Sequence, residues 1–387
     1  MNQRRTSVDI AVVGAGPVGL AAALGLSGIG YRIALIGPAN PAEDRRTAAL
    51  LSGSVALLEK LGVWPALTAE AAPLRTMRIV DGTRRLFRAP EVAFDAGEIG
   101  LLAFGYNVAN AALVAALEAA LAHRPVERVE AIVESAAVDA NGVALILPGG
   151  ESVAAPLAVA ADGRRSRLRD AAGIEVDAWQ YDQAALVVNL RHTLPHHDTS
   201  TEFHTEAGPF TLVPLGPNRS SLVWVDRPAE STRRLGLTDD ALAAEIEVRS
   251  ASILGAISVD GPRQVFPLSG MTARAFASNR VMLAGEAAHV VPPIGAQGLN
   301  LGYRDVAAMT EVLAGPLTDP GAAPALAAYA DARRSDILSR TIAVDTMNRT
   351  LLSDILPTQA LRGLGLFLID RVPALRRQAM RQGLAAR

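Results

Sequence analysis

Three glycine-containing segments carry the residues whose types and spacing suit them to chemistry. The first is Gly14-Ala15-Gly16-Pro17-Val18-Gly19, a Gly-x-Gly-x-x-Gly pattern between an apolar run and an Ala/Leu-rich run. In this pattern the first glycine makes a tight turn, the second lets the backbone approach a pyrophosphate, and the third lets helix and strand pack closely. The following helix start attracts negative charge, so the segment predicts a dinucleotide site. The alternative is a glycine-rich turn without a ligand.

The other two segments also follow apolar runs. Asp162-Gly163 precedes a basic run, and alone this pattern fits an ordinary turn before a solvated helix equally well. Gly285-Glu286 is followed by Pro292-Pro293 and Gly295, which shape a loop whose backbone can lie against a flat ring; the proline pair can also be a simple loop stiffener. Gly298-Leu299-Asn300 then begins a helix whose free N–H groups can face negative charge.

One residue expected of a dinucleotide site is missing. An acidic residue that bonds a ribose should end the second strand, about twenty residues after the glycines. Gly37 stands there, and Glu43 or Asp44 can replace the acid only if the loop curls back. We therefore expect nucleotide binding to be weakened but not abolished.

The elements that must position these segments begin with a strand, a helix and a strand at Val8–Val13, Leu20–Ser27 and Arg32–Ile36. This βαβ start predicts an open parallel sheet. Further helices are predicted at Gly53–Leu61, Ala109–Ala122 and Gly298–Leu313, and from Ala323 onward. Further strands are predicted within 75–100 and 131–159, and at Ala184–Leu190, Pro209–Leu215, Ser220–Val225, Gln264–Leu268 and Val281–Leu283.

The alternation of these blocks predicts an α/β (α+β) fold with a Rossmann-like domain interrupted by a β-rich insertion. The nucleotide-binding domain is expected to comprise residues 1–75, 100–175 and 275–325. The β-rich substrate domain is expected at 76–99 and 176–274, and a C-terminal helical region at 326–387.

The composition of the chain excludes several classes of function. The 387 residues suit two domains, and the net charge of −2 gives no global attraction to nucleic acid. The absence of cysteine excludes disulfides, thiolate metal ligands and cysteine nucleophiles. His192, His196 and His197 lack further ligands nearby in the sequence, so no metal is predicted. The apolar N-terminal run contains the glycine pattern, so we expect a cytoplasmic protein without a cleaved signal or membrane span.

Taken together, the three segments resemble the single-component FAD aromatic hydroxylases, whose fold is typified by p-hydroxybenzoate hydroxylase. The resemblance implies that Gly14–Gly19 holds the ADP half of FAD and that Gly285-Glu286 holds the ribityl chain. It also implies that the Asp-Gly motif, here Asp162, Gly163, Ser166 and Arg169, serves both FAD and NAD(P)H. Gly37 stands where Glu is usual in this family, and Glu286 stands where Asp is usual.

Five segments extend the resemblance to the ubiquinone-biosynthesis hydroxylases, at 44–64, 101–110, 266–268, 295–305 and 361–383. By this likeness Arg46 lies against the FAD and Asn110 lies near its pyrophosphate or ribityl side. The implied reaction uses NAD(P)H and O2 to hydroxylate an aromatic ring, through a flavin C4a-hydroperoxide kept away from water. The implied substrate is a polyprenylphenol, and a ubiquinone-synthesis complex is an implied partner.

Within this expectation the amides of Gly298–Asn300 stabilise the anionic reduced flavin, and Pro292 and Pro293 form a wall beside its ring. No catalytic base is assigned, and His289 is interpreted as a structural contact rather than a proton relay. No second Gly-x-Gly-x-x-Gly pattern exists, which favours transient NAD(P)H binding on the FAD domain. Residues of the predicted substrate pocket are Pro214, Leu215, Trp224, Phe266 and Pro292.

The C-terminal residues 361–387 carry six arginines and one aspartate, with apolar residues near helical spacing. They predict either a peripheral contact with the inner membrane face or a helix packed on its own domain. Three other functions stay open. They are hydroxylation of a soluble aromatic compound, a flavin-binding scaffold with weak or no turnover, and a flavin-dependent reductase.

Overall fold

The structure is a computed structural model that describes residues 5–39, 44–83, 90–315, 318–352 and 371–384. The predicted α/β fold class is confirmed. The described helices are α1 (Pro17–Gly28), α2 (Ser52–Lys60), α3 (Asn110–Leu121), α4 (Arg167–Ala171), α5 (Pro228–Leu235), α6 (Asp239–Arg249), α7 (Gln297–Leu313), α8 (Ala323–Leu352) and α9 (Pro373–Leu384).

The strands fall into four sheets and are numbered along the chain. The first thirteen are β1 (Arg5–Ser7), β2 (Ile10–Val13), β3 (Ile33–Ile36), β4 (Thr47–Leu51), β5 (Ala72–Leu74), β6 (Thr76–Asp81), β7 (Val92–Asp95), β8 (Gly105–Ala109), β9 (Val126–Val129), β10 (Ser135–Val138), β11 (Val143–Ile146), β12 (Ser152–Ala155) and β13 (Leu157–Ala160). The others are β14 (Val176–His192), β15 (Thr199–His204), β16 (Pro209–Pro214), β17 (Arg219–Asp226), β18 (Ile257–Val259), β19 (Gln264–Ala273), β20 (Ala277–Ser278), β21 (Val281–Leu283) and β22 (His289–Val290).

A six-stranded sheet of order β20-β21-β13-β2-β3-β9 forms the centre of the nucleotide-binding part. Its strands are parallel except β20, and β2, β3, β13 and β21 are fully buried, as expected of strands covered on both faces. The three glycine-containing segments follow β2, β13 and β21, which are neighbours. They therefore meet at one carboxyl edge of the sheet, where open α/β sheets bind their ligands.

A nine-stranded sheet carries the β-rich part of the molecule. Its order is β22-β19-β14-β17-β16-β15-β6-β7, with β18 beside β14. One face packs against α6, where Leu242 and Ile246 meet Phe210 and Trp224 in a buried cluster. Two smaller sheets, β4-β8-β5 and β1-β12-β11-β10, complete the described part of the fold.

The C-terminal helix α9 is docked on its own domain. Met380 is buried in a cluster with Leu51, Ala96 and Phe104, and Arg376 forms an ion pair with Glu98. Leu375 stays 44% exposed. No helix in the described ranges has the length and apolar character needed to cross a membrane. Leu361, Leu364, Phe367 and Leu368, which the sequence pattern places on one helical face, lie outside the described residues.

Candidate active site

The three glycines of the first segment have different surroundings. Gly14 has a φ of +110°, and a Cβ there would lie 2.1 Å from the carbonyl oxygen of Ala161. A Cβ on Gly19 would lie 1.8 Å from the carbonyl oxygen of Gly14. Gly16, the N-cap of α1, has no atom within 4 Å of the same position. The first and third glycines thus let strand and helix pack, and the second leaves free space at the start of α1.

Gly37 has a steric reason to lack a side chain. It follows β3, and its added Cβ would lie only 2.7 Å from the backbone nitrogen of Ala15. The acid usual at this position therefore does not fit this backbone without a shift. Glu43, one of the two proposed substitutes, lies outside the described residues.

Asp44, the other proposed substitute, binds two side chains. Arg46 donates to it from Nε and Nη2 at 2.9 and 2.7 Å, and Asn110 donates from Nδ2 at 3.2 Å. Burial opposes ionisation of Asp44, but the hydrogen bonds from Arg46 and Asn110 outweigh it and lower its pKa. The guanidinium of Arg46 also lies 5.8 Å from the ring centre of Phe266. These contacts bring Arg46, Asn110 and Phe266 into one cluster.

The Asp-Gly and Gly-Glu segments are joined by two arginines. Arg169 is 5% exposed and donates to the carbonyl oxygens of Arg164 and Ala287, at 3.0 and 3.2 Å. Arg164 donates to Glu286 from Nε at 3.0 Å and from Nη2 at 3.3 Å, and both side chains are about half exposed. The predictions singled out Glu286 and Arg169 but missed Arg164, which looked like one arginine of a basic run.

Two buried oxygen atoms near these turns have no hydrogen-bond partner among the described residues. They are Oδ1 of Asp162 and Oδ1 of Asn110. Burial raises the pKa of Asp162, although hydrogen bonds from Ser166 and the start of α4 oppose the rise. Buried polar groups are ordinarily satisfied, so these two acceptors are available to a ligand with hydroxyl or N–H donors.

The loop before α7 exposes Pro293 and Gly295 and the first turn of α7 exposes Gly298, whereas Pro292 is buried. Asn300 was predicted to contact the cofactor, but its side chain is bound elsewhere. Its Oδ1 accepts from Leu51 N at 2.8 Å, and its Nδ2 donates to Ala49 O at 2.8 Å. The side chain therefore fastens the first turn of α7 to β4, and the first N–H groups of α7 have no partner within the helix.

A buried ionic network supports the Gly285 turn. Asp305 accepts from Gly285 N at 2.9 Å, from His289 Nε2 at 2.7 Å and from Arg333 Nε at 2.7 Å. Burial opposes ionisation of Asp305, but His289 and Arg333 lower its pKa. The geometry agrees with a structural contact for His289. Sequence reasoning missed Asp305 and Arg333, because the contact joins residues far apart in the chain.

The predicted substrate-pocket residues do not share one surface. Trp224 lies on the face of the nine-stranded sheet that packs against α6, 5.0 Å from the ring of Phe210 and 3.8 Å from the guanidinium of Arg234, and it lines a cavity there with Phe203. Pro214 is buried at the end of β16, where its carbonyl accepts from Asn107 at 2.8 Å. Leu215 is also buried, and only Phe266 is substantially exposed, at 37%.

A row of side chains on the face opposite Trp224 forms what we call the floor row. Paired positions place Ile79, Glu202, Thr211, Val223 and Val187 side by side across five strands. Each of them is half-buried, whereas Phe203, Phe210, Trp224 and Leu186 on the other face are fully buried.

The floor row faces the nucleotide-binding part. On one side of it Thr47 donates to Ser221 at 2.9 Å, and on the other Asn348 of α8 donates to Gln183 at 2.9 Å. These two contacts place β4 and α8 on either side of the floor row, and we call the region between them the cleft. His192, the first of the three clustered histidines, bonds Leu194 O and Ser220, and no metal-binding group of three side chains occurs in the described ranges.

The fold and these turns define a flavoprotein of the aromatic-hydroxylase type. The open space at Gly16, the first N–H groups of α7 and the two unpaired acceptors fit a pyrophosphate, an anionic ring edge and a hydroxylated chain. The family model described as FAD binding domain matches residues 7–342, so the chain belongs to this FAD-binding family. It is an FAD-dependent monooxygenase.

Curated relatives match almost the whole chain. Ubiquinone hydroxylase UbiL of Rhodospirillum rubrum is 34% identical over 97% of this chain and 89% of its own length. The 3-demethoxyubiquinol 3-hydroxylase of Escherichia coli is 34% identical over 97% of this chain and 98% of its own length. Ubiquinone biosynthesis monooxygenase COQ6 of Danio rerio is 28% identical over 96% and 88%.

Solved structures share the fold at lower sequence identity. The p-nitrophenol 4-monooxygenase PnpA of Pseudomonas putida has a TM-score of 0.80 at 21% identity and covers 99% of both chains. The probable FAD-dependent monooxygenase PqsL of Pseudomonas aeruginosa has a TM-score of 0.76 at 20% identity, covering 94% of this chain and 100% of its own.

Proposed function

We propose that this hydroxylase acts on the ring of a prenylated phenol in ubiquinone synthesis and takes its electrons from NAD(P)H. The observation that carries the proposal is the 34% identity, over nearly the full length, to a ubiquinone hydroxylase and a 3-demethoxyubiquinol 3-hydroxylase. The cleft adds support, because three of the five residues in its floor row are aliphatic and half-buried. An apolar wall with few polar groups suits an aromatic ring.

FAD is held in this proposal by the turns at the sheet edge. The start of α1 binds the pyrophosphate, and the unpaired acceptors of Asp162 and Asn110 receive hydroxyl donors. The start of α7 stabilises negative charge on the flavin ring, and the wall of Pro292 and Pro293 limits water. When bound, FAD supplies the redox chemistry that activates O2. One oxygen atom enters the substrate ring, and the other leaves as water.

NAD(P)H is proposed to bind transiently beside the Asp-Gly segment. Arg164 is 51% exposed at this edge, so its guanidinium is reachable from solvent while it holds Glu286. A guanidinium suits the phosphate groups of a nicotinamide dinucleotide. The single Gly-x-Gly-x-x-Gly pattern in the sequence supports a visiting reductant rather than a second resident dinucleotide.

A peripheral membrane contact is proposed through α9, which would let a prenyl tail stay in lipid while its ring enters the cleft. Leu375, Arg377 and Arg381 of α9 are exposed, and exposed apolar and basic side chains together suit anionic lipid. The double variant Leu375→Ser/Arg377→Gln is expected to sediment less with vesicles of phosphatidylglycerol and phosphatidylcholine. Leu235→Ser removes a similarly exposed leucine elsewhere and serves as the control. Equal sedimentation of the natural protein, the double variant and Leu235→Ser would contradict the membrane proposal.

The decisive experiment starts with a visible spectrum of the purified protein. NAD(P)H and air are then added with 2-prenylphenol, and the product is examined by mass spectrometry. Flavin bands that bleach and return, with a product heavier by one oxygen atom, are the expected result. NAD(P)H oxidation with only hydrogen peroxide formed, for every phenol tested, would contradict it.

The same assay separates the other functions. Phenol without the prenyl group, converted as efficiently as 2-prenylphenol, would favour a soluble aromatic substrate. A colourless protein that does not take up added FAD would favour the scaffold, and reduction of an acceptor without O2 consumption would favour the reductase. Retention of this protein by a ubiquinone-synthesis complex is tested separately, by co-purification of the tagged full chain.

A further inference from the structure

A half-buried carboxylate, Glu202, lies in the otherwise mostly aliphatic floor row, and the proposed function has not used it. Glu202 accepts from His204 Nε2 at 2.8 Å through Oε1, and from Thr211 Oγ1 at 3.2 Å through Oε2. Its side chain is 19% exposed and that of His204 is 8% exposed. Burial opposes ionisation of Glu202, but its hydrogen bond to His204 lowers its pKa. The cleft floor therefore carries a fixed acceptor rather than a neutral acid.

This group has no evident role in joining one part of the fold to another. His204 lies two residues further along the same strand, and Thr211 is the directly paired residue on the neighbouring strand. Both partners thus belong to the β15–β16 hairpin, which would pair through its backbone without them. A carboxylate in apolar surroundings is costly even when it is hydrogen-bonded. Its place in a cleft suits a ligand that brings a further donor.

The position of Glu202 relative to the cleft follows from its neighbours. Ile79 and Thr211 flank it in the floor row, and Val223 follows Thr211. Met77, two residues before Ile79 on the same face of β6, packs in a cluster with Leu51. Leu51 in turn donates its N–H to Asn300 in the first turn of α7. Glu202 thus lies on the side of the sheet that faces the proposed flavin loop.

We propose that the Glu202–His204 pair is the hydrogen-bond acceptor for the ring hydroxyl of the substrate and makes the enzyme selective for phenols over rings without a free hydroxyl. Glu202 contacts the hydroxyl, so it is the specificity-determining residue. His204 and Thr211 are positioning residues that hold its carboxylate. A hydroxyl that donates to an anion gives more electron density to its ring, which the hydroxylation reaction requires. This inference rests on the proposed function, because it concerns the substrate of the same cleft.

The test compares 2-prenylphenol with its methyl ether, which has the same ring and tail but no donor. Dissociation constants are measured on the FAD-loaded protein by perturbation of the flavin spectrum. The natural protein is expected to bind the phenol at least about tenfold more tightly than the ether, because a hydrogen bond to a charged group is at stake. Glu202→Leu is expected to bring the ratio of the two dissociation constants close to one, mainly by weakening the binding of the phenol.

Further variants distinguish recognition from folding. Glu202→Gln keeps an oxygen acceptor, as an amide, and should retain part of the preference for the phenol over the ether. Thr211→Ser should retain more of this preference than Thr211→Val. His204→Gln should lower the ratio without changing FAD content. His192→Gln is the matched control, since the whole residues His192 and His204 are equally exposed, at 6%, and lie on the same sheet.

The outcomes are separable from those of the proposed function. If the natural protein hydroxylates no phenol, the proposed function fails. If it hydroxylates 2-prenylphenol but the phenol-to-ether ratio is unchanged in the Glu202, Thr211 and His204 variants, this inference is overturned and the function stands. An equal loss of the ratio in His192→Gln would also overturn it, because the effect would then be one of general destabilisation. Should Glu202→Leu not fold, the Thr211 and His204 variants decide the matter alone.

Discussion

Arg164 forms a bidentate ion pair with the carboxylate of Glu286, with Nε donating to Oε2 at 3.0 Å and Nη2 to Oε1 at 3.3 Å. The two residues belong to turns that follow neighbouring parallel strands, β13 and β21. The longer side chain at position 286 therefore has a fixed direction. It lies at the edge where the proposed ribityl site begins.

Glu286→Ala is expected to lower FAD affinity by about tenfold or more, because one charged hydrogen bond is lost and Arg164 is released. Fluorescence titration of the apoprotein with FAD measures this change. Glu175→Ala is the matched control, since Glu175 also forms an exposed ion pair with an arginine, Arg274. Unchanged FAD affinity in Glu286→Ala would place the ribityl chain elsewhere.

Two glycines of the first segment should respond differently to alanine. Gly14→Ala is expected to lower the free energy of unfolding by about 1–3 kcal/mol or more, because its φ is positive and Ala161 blocks a Cβ. Gly16→Ala is expected to keep the stability of the apoprotein and to weaken FAD binding at least about tenfold, because the new methyl group enters the space assigned to the pyrophosphate. Thermal unfolding and FAD titration measure the two effects. Tight FAD binding by Gly16→Ala would contradict this assignment.

Arg333→Met should test the network under the Gly285 turn. Removing one partner of a buried ion pair costs about 3–5 kcal/mol, and Arg334→Met, which changes an exposed neighbour, serves as the control. The pKa of Asp305 is lowered in the folded protein, so its stabilising contacts are present at neutral pH. They are lost as the pH falls from the ordinary aspartate range, about 4, through the lower folded pKa. Denaturant unfolding should therefore show the difference between Arg333→Met and the natural protein shrinking in acid.

Neighbouring positions on β17 should affect different properties. Val223→Phe is expected to raise the KM for 2-prenylphenol while FAD affinity stays constant, because the added ring fills the cleft. Trp224→Phe is expected to lower the free energy of unfolding by about 0.5–3 kcal/mol with little change in KM, because its side chain packs under Arg234. Steady-state kinetics and urea unfolding of both variants measure this contrast. A larger KM effect from Trp224→Phe would reverse the assignment of the two faces.

Local patterns predicted the elements around the cofactor well. The helix expected at Gly298–Leu313 is α7 at Gln297–Leu313, and that expected at Gly53–Leu61 is α2 at Ser52–Lys60. Glycine stops and apolar runs are local signals, and they suffice for such elements. The strand expected at Ser220–Val225 also exists, as β17.

The sequence did not reveal which side of β17 faces the cleft. Both sides carry apolar residues, and the deciding contacts come from α5 and α6, a stretch to which the sequence interpretation assigned no helix. The same limit applies to Asn300 and Asp305. Their partners on β4 and α8 lie far away in the chain, so no spacing rule reports them.

Successive residues of a strand in the nine-stranded sheet point to opposite faces. Residues of one face line the cleft, and residues of the other face stabilise the fold. Changes at Ile79, Val187 or Val223 alter the shape of the cleft, whereas the opposite row packs in a buried cluster with α6. Evolution can therefore retarget such an enzyme to a new ring by substitutions that leave its structural core untouched. A directed library limited to the floor row should yield a high fraction of folded proteins with altered ring preference.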